Sequence, residues 1–366
     1  MPELFWSLRS YWYRKMAPVD NLTCVLHAKG DMRLEQTSVP EPKGGEVQVS
    51  IKSTGICGSD VHYLVHGAIG PFVVTEPMIL GHETAGIVTK VGPEVTNVKV
   101  GDRVALEPGV NCAQCADCRS GRYNLCQKVI FCATPPYHGT LRRFYCHRAD
   151  LCFKLPDSLS YDEGAFIEPL SVAVMACRRA DLKFGEKVLV TGAGPIGLLN
   201  FLVAKAFGAS TVVVTDIVES KLELVRSLGA TGTVNVKGKT SEAISREILA
   251  ITGSAPEVTL ECSGVESSVG LAINVTRQGG RVVMVGMGPP QVKVPLVDAV
   301  IKELDIRGVF RYANCYPTAI ELIASGKVDV KPLITHRFKL EEAAKAFETT
   351  RTGAGNAVKV IIDCSN

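Results

Sequence analysis

The stretch "GEKVLVTGAGPIGLLNFLVAKAFGASTVVVTD" restricts the fold of this chain more than any other. A continuous apolar strand runs into G-x-G-x-x-G at Gly192, Gly194 and Gly197, an amphipathic helix follows, and a second strand ends on Asp216. A lone glycine triplet is weak evidence. This one has the strand before it, the helix after it and an acid about twenty residues on, the full context of a dinucleotide-binding turn. The glycines let the backbone approach a pyrophosphate whose charge the helix N-terminus stabilises. Asp216 would accept hydrogen bonds from the adenosine ribose hydroxyls. A 2′-phosphate in their place would meet like-charge repulsion on the order of a few kcal/mol at about 4 Å. NAD is therefore expected over NADP, although Lys221 could partner either the ribose or a phosphate.

Downstream, strand and helix patterns alternate: "TGTVNV", "SEAISREILAIT", "PEVTLECS", "VESSVGLAINVTR", "GGRVVMVGM", a helix around Leu296 to Ile301, and "LDIRGVF". Counted from "KVLV" these predict six strands with crossover helices, an α/β fold with a doubly wound parallel sheet over residues 171–310. A Gly-rich region that reads as all-strand and antiparallel precedes it. From Arg311 onward the pattern predicts helices and the strand "AVKVIID". The simplest assembly inserts a dinucleotide-binding domain into a catalytic domain built from residues 17–170 and 311–366. With 366 residues, two domains are also what size predicts, since single cores stop growing near roughly 250–300 residues.

A net charge of +3 supplies no basic field that would argue for nucleic acid, and no apolar run is long enough to span a bilayer. A small-molecule partner is the default. Residues 1–16 read as an N-terminal extension without the uninterrupted apolar core of a secretory signal. Thirteen cysteines then point to a reducing compartment, in which thiols serve metals more often than disulfides.

Four of those thiols are clustered in "NCAQCADCRSGRYNLC" as C-x2-C-x2-C-x7-C: Cys112, Cys115, Cys118 and Cys126. That spacing suits one closed tetrahedral zinc. The segment has almost nothing apolar to bury, so the metal would be its core. With sulfur at all four positions such an ion cannot bind substrate, and the chemistry must lie elsewhere. Cys57 follows the alternating strand "VQVSIKS" between glycines, while His82 and Glu83 follow Gly81, whose freedom permits the bend that joint ligation by adjacent residues needs. Each is weak alone: a single thiol such as Cys57 is more often inert and buried, and a lone His-Glu pair such as His82-Glu83 is usually polar surface. Glu168 stands among Ala165, Phe166, Ile167 and Leu170, where a carboxyl would have a raised pKa suited to trading protons. It reads equally as a helix-start acid favoured by the dipole.

Taken together, "GICGSDVHY", "GHE", the four-cysteine lobe, "FCATPP", "IEPLSV", "GAGPIG", "VTLECSG" and "GVFRY" resemble the zinc-containing medium-chain dehydrogenases, and within them the sorbitol (polyol) dehydrogenases. The likeness runs from about Asn21 to the C-terminus. It implies a Rossmann domain inserted into a mostly antiparallel, GroES-like catalytic domain, hydride transfer between a polyol and NAD to give the 2-ketose, and a catalytic plus a structural zinc per subunit. Cys57, His82 and Glu83 match the catalytic zinc ligands and Glu168 the acid beside the zinc-bound water. Ser59 is expected to hydrogen-bond the reacting oxygen. Substrate contacts are implied at Tyr63, Phe72, Phe131, Arg311 and Tyr312. Cofactor contacts are implied at Ile196, Asp216, Lys221, Val285, Gly286, Met287, Val309, Phe310 and Arg311 besides the glycines. The family further implies a cytoplasmic homotetramer. Xylitol, arabinitol or another secondary alcohol on the same machinery is the rival, and a non-catalytic NAD-binding structural protein a remoter one, against which intact Cys57, His82 and Glu83 count.

Overall fold

The computed structural model describes residues 20–365; the expected extension over residues 1–16 lies outside them. Six parallel strands form one sheet in the spatial order Gly232–Asn235, Thr211–Asp216, Lys187–Thr191, Val258–Glu261, Arg281–Met284, Asp305–Gly308. This is the doubly wound arrangement, with strand order reversing between Lys187–Thr191 and Val258–Glu261. The crevice at the carboxyl ends of those two strands is where such sheets take ligands. Successive residues of the central strand face opposite sides: Val188 and Val190 join one core cluster and Leu189 another. Both faces are covered by helices, which explains why the central strands read as nearly unbroken apolar runs.

A second sheet has the order Cys152–Lys154, Arg103–Leu106, Glu83–Val91, Glu46–Gly55, Lys359–Asp363, Ile334–Lys339, with Phe144–Arg148 also paired to Glu46–Gly55. Its pairs are antiparallel except Ile334–Lys339 with Lys359–Asp363, which run parallel. The N-terminal and C-terminal segments thus share one sheet. The helix Ile167–Arg179 spans the boundary expected at 170/171, and its Ile167, Leu170 and Val174 lie in the same cluster as Ala85 and Ala105 of the second sheet and Leu198 and Leu202 of the first domain's helix Pro195–Ala206.

Two features correct the sequence-based expectation. The N-terminal region is not all strand, because Gly58–His66 is a helix. Nine residues carry little helical signal; the helix starts because Asp60 at its third position accepts the backbone N–H of Cys57 at 3.1 Å. The strand Ile334–Lys339 was also not expected. It is an edge strand with mostly partly buried or exposed side chains, so its apolar alternation is faint.

Candidate active site and metal centres

Strand register brings the first cluster together. Glu83 opens one strand and pairs with Gly55 at the end of another, two residues before Cys57. Gly81 adopts φ +87° immediately before His82, which turns the imidazole and the following carboxylate toward one point. One donor atom each from Cys57, His82 and Glu83 lies within 4.8 Å of the others. Gly55 is required here: a Cβ on it would sit 2.1 Å from Glu83 Oε2.

Whether these donors fit a zinc ion can be judged from their surroundings. Asp60, itself buried, accepts the Gly81 N–H at 3.0 Å and lies 3.5 Å from His82 Nδ1, a contact of charge rather than a close hydrogen bond. A carboxylate on the Nδ1 side leaves Nε2 for a metal. A thiol, an imidazole and a carboxylate are the three-donor set of a catalytic zinc that keeps one position for water or substrate. The residues fit. Glu83 has a second partner, however: Lys359 Nζ donates to its Oε1 at 2.7 Å and its Oε2 at 2.5 Å, with both side chains buried. Burial works against the lysine charge, yet the Glu83 carboxylate holds its pKa above the ordinary value.

Beside this cluster Glu168 is buried at the start of its helix, and Tyr312 donates its hydroxyl to Glu168 Oε1 at 2.7 Å. Burial pushes the Glu168 carboxyl above its usual range, reinforced by Glu83. Phe131 lies between this cluster and Arg311. Its ring lies 5.7 Å from that of His82, and the Arg311 guanidinium sits 3.7 Å from its centroid. Arg311 also reaches Thr134 Oγ1 at 3.4 Å and stacks on Phe310. Tyr63 is buried, and Ser59 is half-buried in the first turn after Cys57. Phe72 is not brought into the buried cluster: it lies on the short hairpin strand Phe72–Val73 and is 37% exposed.

The second cluster is the cysteine lobe. Donor atoms of Cys112, Cys115, Cys118 and Cys126 also lie within 4.8 Å of one another. The Cys115–Cys118 and Cys112–Cys118 sulfur separations are 3.4 and 3.9 Å. Four thiolates at 2.3 Å from one zinc would stand about 3.8 Å apart, so the lobe fits that ion and no disulfide is formed.

The residues expected to contact a dinucleotide lie at or shortly after the carboxyl ends of the parallel strands. Gly192 has φ +91°, and a Cβ on Gly197 would meet Gly192 O at 1.8 Å, so the turn and the first helical turn touch backbone to backbone. Ile196 occupies that first turn. Asp216 accepts the Ala193 and Val218 amides at 2.7 and 2.9 Å, which ties the glycine turn to the neighbouring strand. Lys221 is half-buried in the helix that follows. Val285 and Gly286 both donate to Glu261 O, and Gly286 packs so closely on Gly264 that a Cβ would lie 2.3 Å from its nitrogen. Met287 is largely exposed, and Val309 and Phe310 continue from the last strand.

Sequence reasoning missed Asp60, Lys359, Glu107, Tyr123 and Asn124. Lys359 opens the strand Lys359–Asp363 and Glu107 follows the strand Arg103–Leu106, each the one charge in a short apolar stretch, "VKVII" and "VALEPGV", a detectable oddity whose partners are not. Burial pushes the Glu107 carboxyl up to about 7, against the hydrogen bond from Tyr123.

The zinc-binding dehydrogenase family model matches residues 195–325, and the alcohol dehydrogenase GroES-like domain model matches residues 43–157. The chain is 54% identical to sorbitol dehydrogenase of Rattus norvegicus over 345 residues, 94% of this chain and 96% of that protein. It is 50% identical to sorbitol dehydrogenase of Homo sapiens over 348 residues, 95% of this chain and 97% of that one. Among solved structures, galactitol-1-phosphate dehydrogenase of Escherichia coli superposes with a TM-score of 0.86 at 30% identity, covering 93% of this chain and 99% of its own.

Proposed function

The chain belongs to the zinc-containing medium-chain dehydrogenases, and from that premise we propose that it oxidises a polyol, sorbitol or a close relative, to the 2-ketose with NAD as hydride acceptor. The observation that carries this reading is the meeting of Cys57, His82 and Glu83 beside the Glu168–Tyr312 pair. A zinc held by the first three would act as a Lewis acid that makes a hydroxyl of the substrate more acidic. Tyr312 occupies Glu168 Oε1 and leaves Oε2 to exchange the proton with water. Ser59 hydrogen-bonds the reacting oxygen, and Arg311, Tyr312 and Tyr63 hold the remaining hydroxyls against the wall formed by Phe131. Residues 17–170 and 311–366 form the catalytic domain in this reading, and 171–310 the nucleotide domain.

Steady-state kinetics with sorbitol, xylitol, ribitol and ethanol, each with NAD and NADP, test it. A site whose buried polar groups expect several hydroxyls rejects an alcohol that lacks them, so kcat/KM for ethanol should fall below that for the best polyol by roughly 10²-fold or more. Equal values for ethanol and sorbitol would overturn the polyol assignment, and the ranking of the pentitols against sorbitol decides among the sugar alcohols. Asp216→Ala should raise the KM for NAD and shrink its advantage over NADP, because both the ribose acceptor and the anchor of Ala193 are removed. Unchanged cofactor discrimination in the same assay would show that another group reads the ribose.

The reading extends to assembly and compartment. The edge strand Asp305–Gly308 has no further partner among the described residues, and Ile306, Leu296, Val297, Val300 and Ile301 beside it are 45–70% exposed. An open strand flanked by apolar side chains is a surface that a second copy would cover, in keeping with a homotetramer. Free thiols suit the cytoplasm, and no helix of the described residues is long and apolar enough to cross a membrane.

A further inference from the structure

The segment Phe310–Asn314, which carries Arg311 and Tyr312, has a backbone that would not hold its shape alone. Arg311 stands at φ +54°, the left-handed region that such a residue rarely adopts without support from its surroundings, and Asn314, which tolerates that region, stands at +56°. The support comes from the cysteine lobe. Asn124 Nδ2 donates to Phe310 O at 2.8 Å, Asn314 N–H donates to Tyr123 Oη at 2.7 Å, and Asn314 Nδ2 donates to Gly121 O at 3.0 Å. These contacts bracket the two substrate-side residues, one just before Arg311 and two just after Ala313. Their lobe ends all fall in the loop between Cys118 and Cys126, whose shape depends on four thiols gathered on one point. Tyr123 is itself fixed, donating to Glu107 Oε1 at 2.7 Å, and Asn124 is buried.

We infer that the four-cysteine lobe is a clamp on the substrate-binding segment, and that Asn124 and Tyr123 are positioning residues through which it sets polyol affinity. The metal ligands and Glu168 lie on other segments, so loosening the clamp leaves them in place; it moves the Arg311 guanidinium off its seat on Phe131 and loosens the Tyr312 hydrogen bond to Glu168 Oε1, while Oε2, the oxygen assigned to proton exchange, keeps its place. The inference rests on the polyol reading only for the identity of the ligand that feels the clamp.

The test is Asn124→Leu in the full-length protein, read by metal analysis, by kcat and KM for sorbitol, and by amide hydrogen exchange of residues 310–314 without substrate. The expected result is unchanged zinc content, a KM raised about tenfold or more, as the loss of a buried hydrogen bond allows, and kcat within about threefold of the parent, with faster exchange in the segment. Unchanged KM and unchanged exchange would overturn the clamp, as would a fall in kcat with KM intact. Should Asn124→Leu lose the lobe metal, Tyr123→Phe decides by the same readouts, since it frees the Asn314 N–H without touching a sulfur. If the parent protein turned over no polyol, the functional reading would fail, while faster exchange in either variant would still support the clamp.

Discussion

Glu168→Gln is expected to lower kcat by about 10²–10⁴-fold, the range for removing a positioned general acid–base, while both metal sites stay filled. Glutamine keeps the shape of the side chain and an oxygen to accept from the Tyr312 hydroxyl, now 2.7 Å from Glu168 Oε1. It cannot exchange a proton. The carboxyl is suited to that exchange because burial holds its pKa above the usual range, so it takes up a proton more readily than an exposed glutamate. Metal analysis beside the kinetics separates two roles. Zinc retained with kcat lost assigns proton transfer to Glu168, whereas loss of the catalytic zinc would make it a ligand and remove it from the proton path.

Lys359→Met is the second large effect. Both Glu83 oxygens are held by Lys359, and each side chain is no more than 3% exposed. Deleting one partner of a buried ion pair strands the other charge, at a cost of about 3–5 kcal/mol. Methionine matches the stem and supplies no charge, so the zinc-free protein should unfold at clearly lower denaturant concentration than its parent. Zinc should restore part of the difference, because the cation then faces the carboxylate. Lys359→Arg keeps the charge and should recover most of the stability. Equal denaturation midpoints for zinc-free Lys359→Met and its parent would show that Glu83 is satisfied by some other group.

Much of the fold was legible in the sequence because parallel strands buried on both faces leave continuous apolar runs, as the four central strands between Lys187 and Met284 do, and the two edge strands, Gly232–Asn235 and Asp305–Gly308, fall into the same alternation with helices. Gly192 and Gly197 were legible for a related reason: Gly192 stands at φ +91° and a Cβ on Gly197 would lie 1.8 Å from Gly192 O, whereas a Cβ on Gly194 would meet nothing within 4 Å. The helix Gly58–His66 was not, since it depends on Asp60 turning back to Cys57 rather than on a long apolar stripe. The strand Ile334–Lys339 was hidden at a sheet edge, where little of it is buried.

The candidate site divides the same way. Cys112, Cys115, Cys118 and Cys126 declare a metal by spacing alone, because thiols with two and seven residues between them can reach one ion whatever the rest of the chain does. Cys57 and His82 declare nothing singly; only the pairing of Gly55 with Glu83 makes them neighbours. The lysine that neutralises Glu83 enters from a strand 276 residues away, and the amide that steadies Phe310 from a loop 186 residues away. Short-range chemistry, in which spacing sets reach and a missing side chain permits contact, was therefore determined by the order of residues. Partners of buried charges and strained turns were decided by which strands lie side by side, since a hydrogen bond depends on distance in space and carries no trace of distance along the chain.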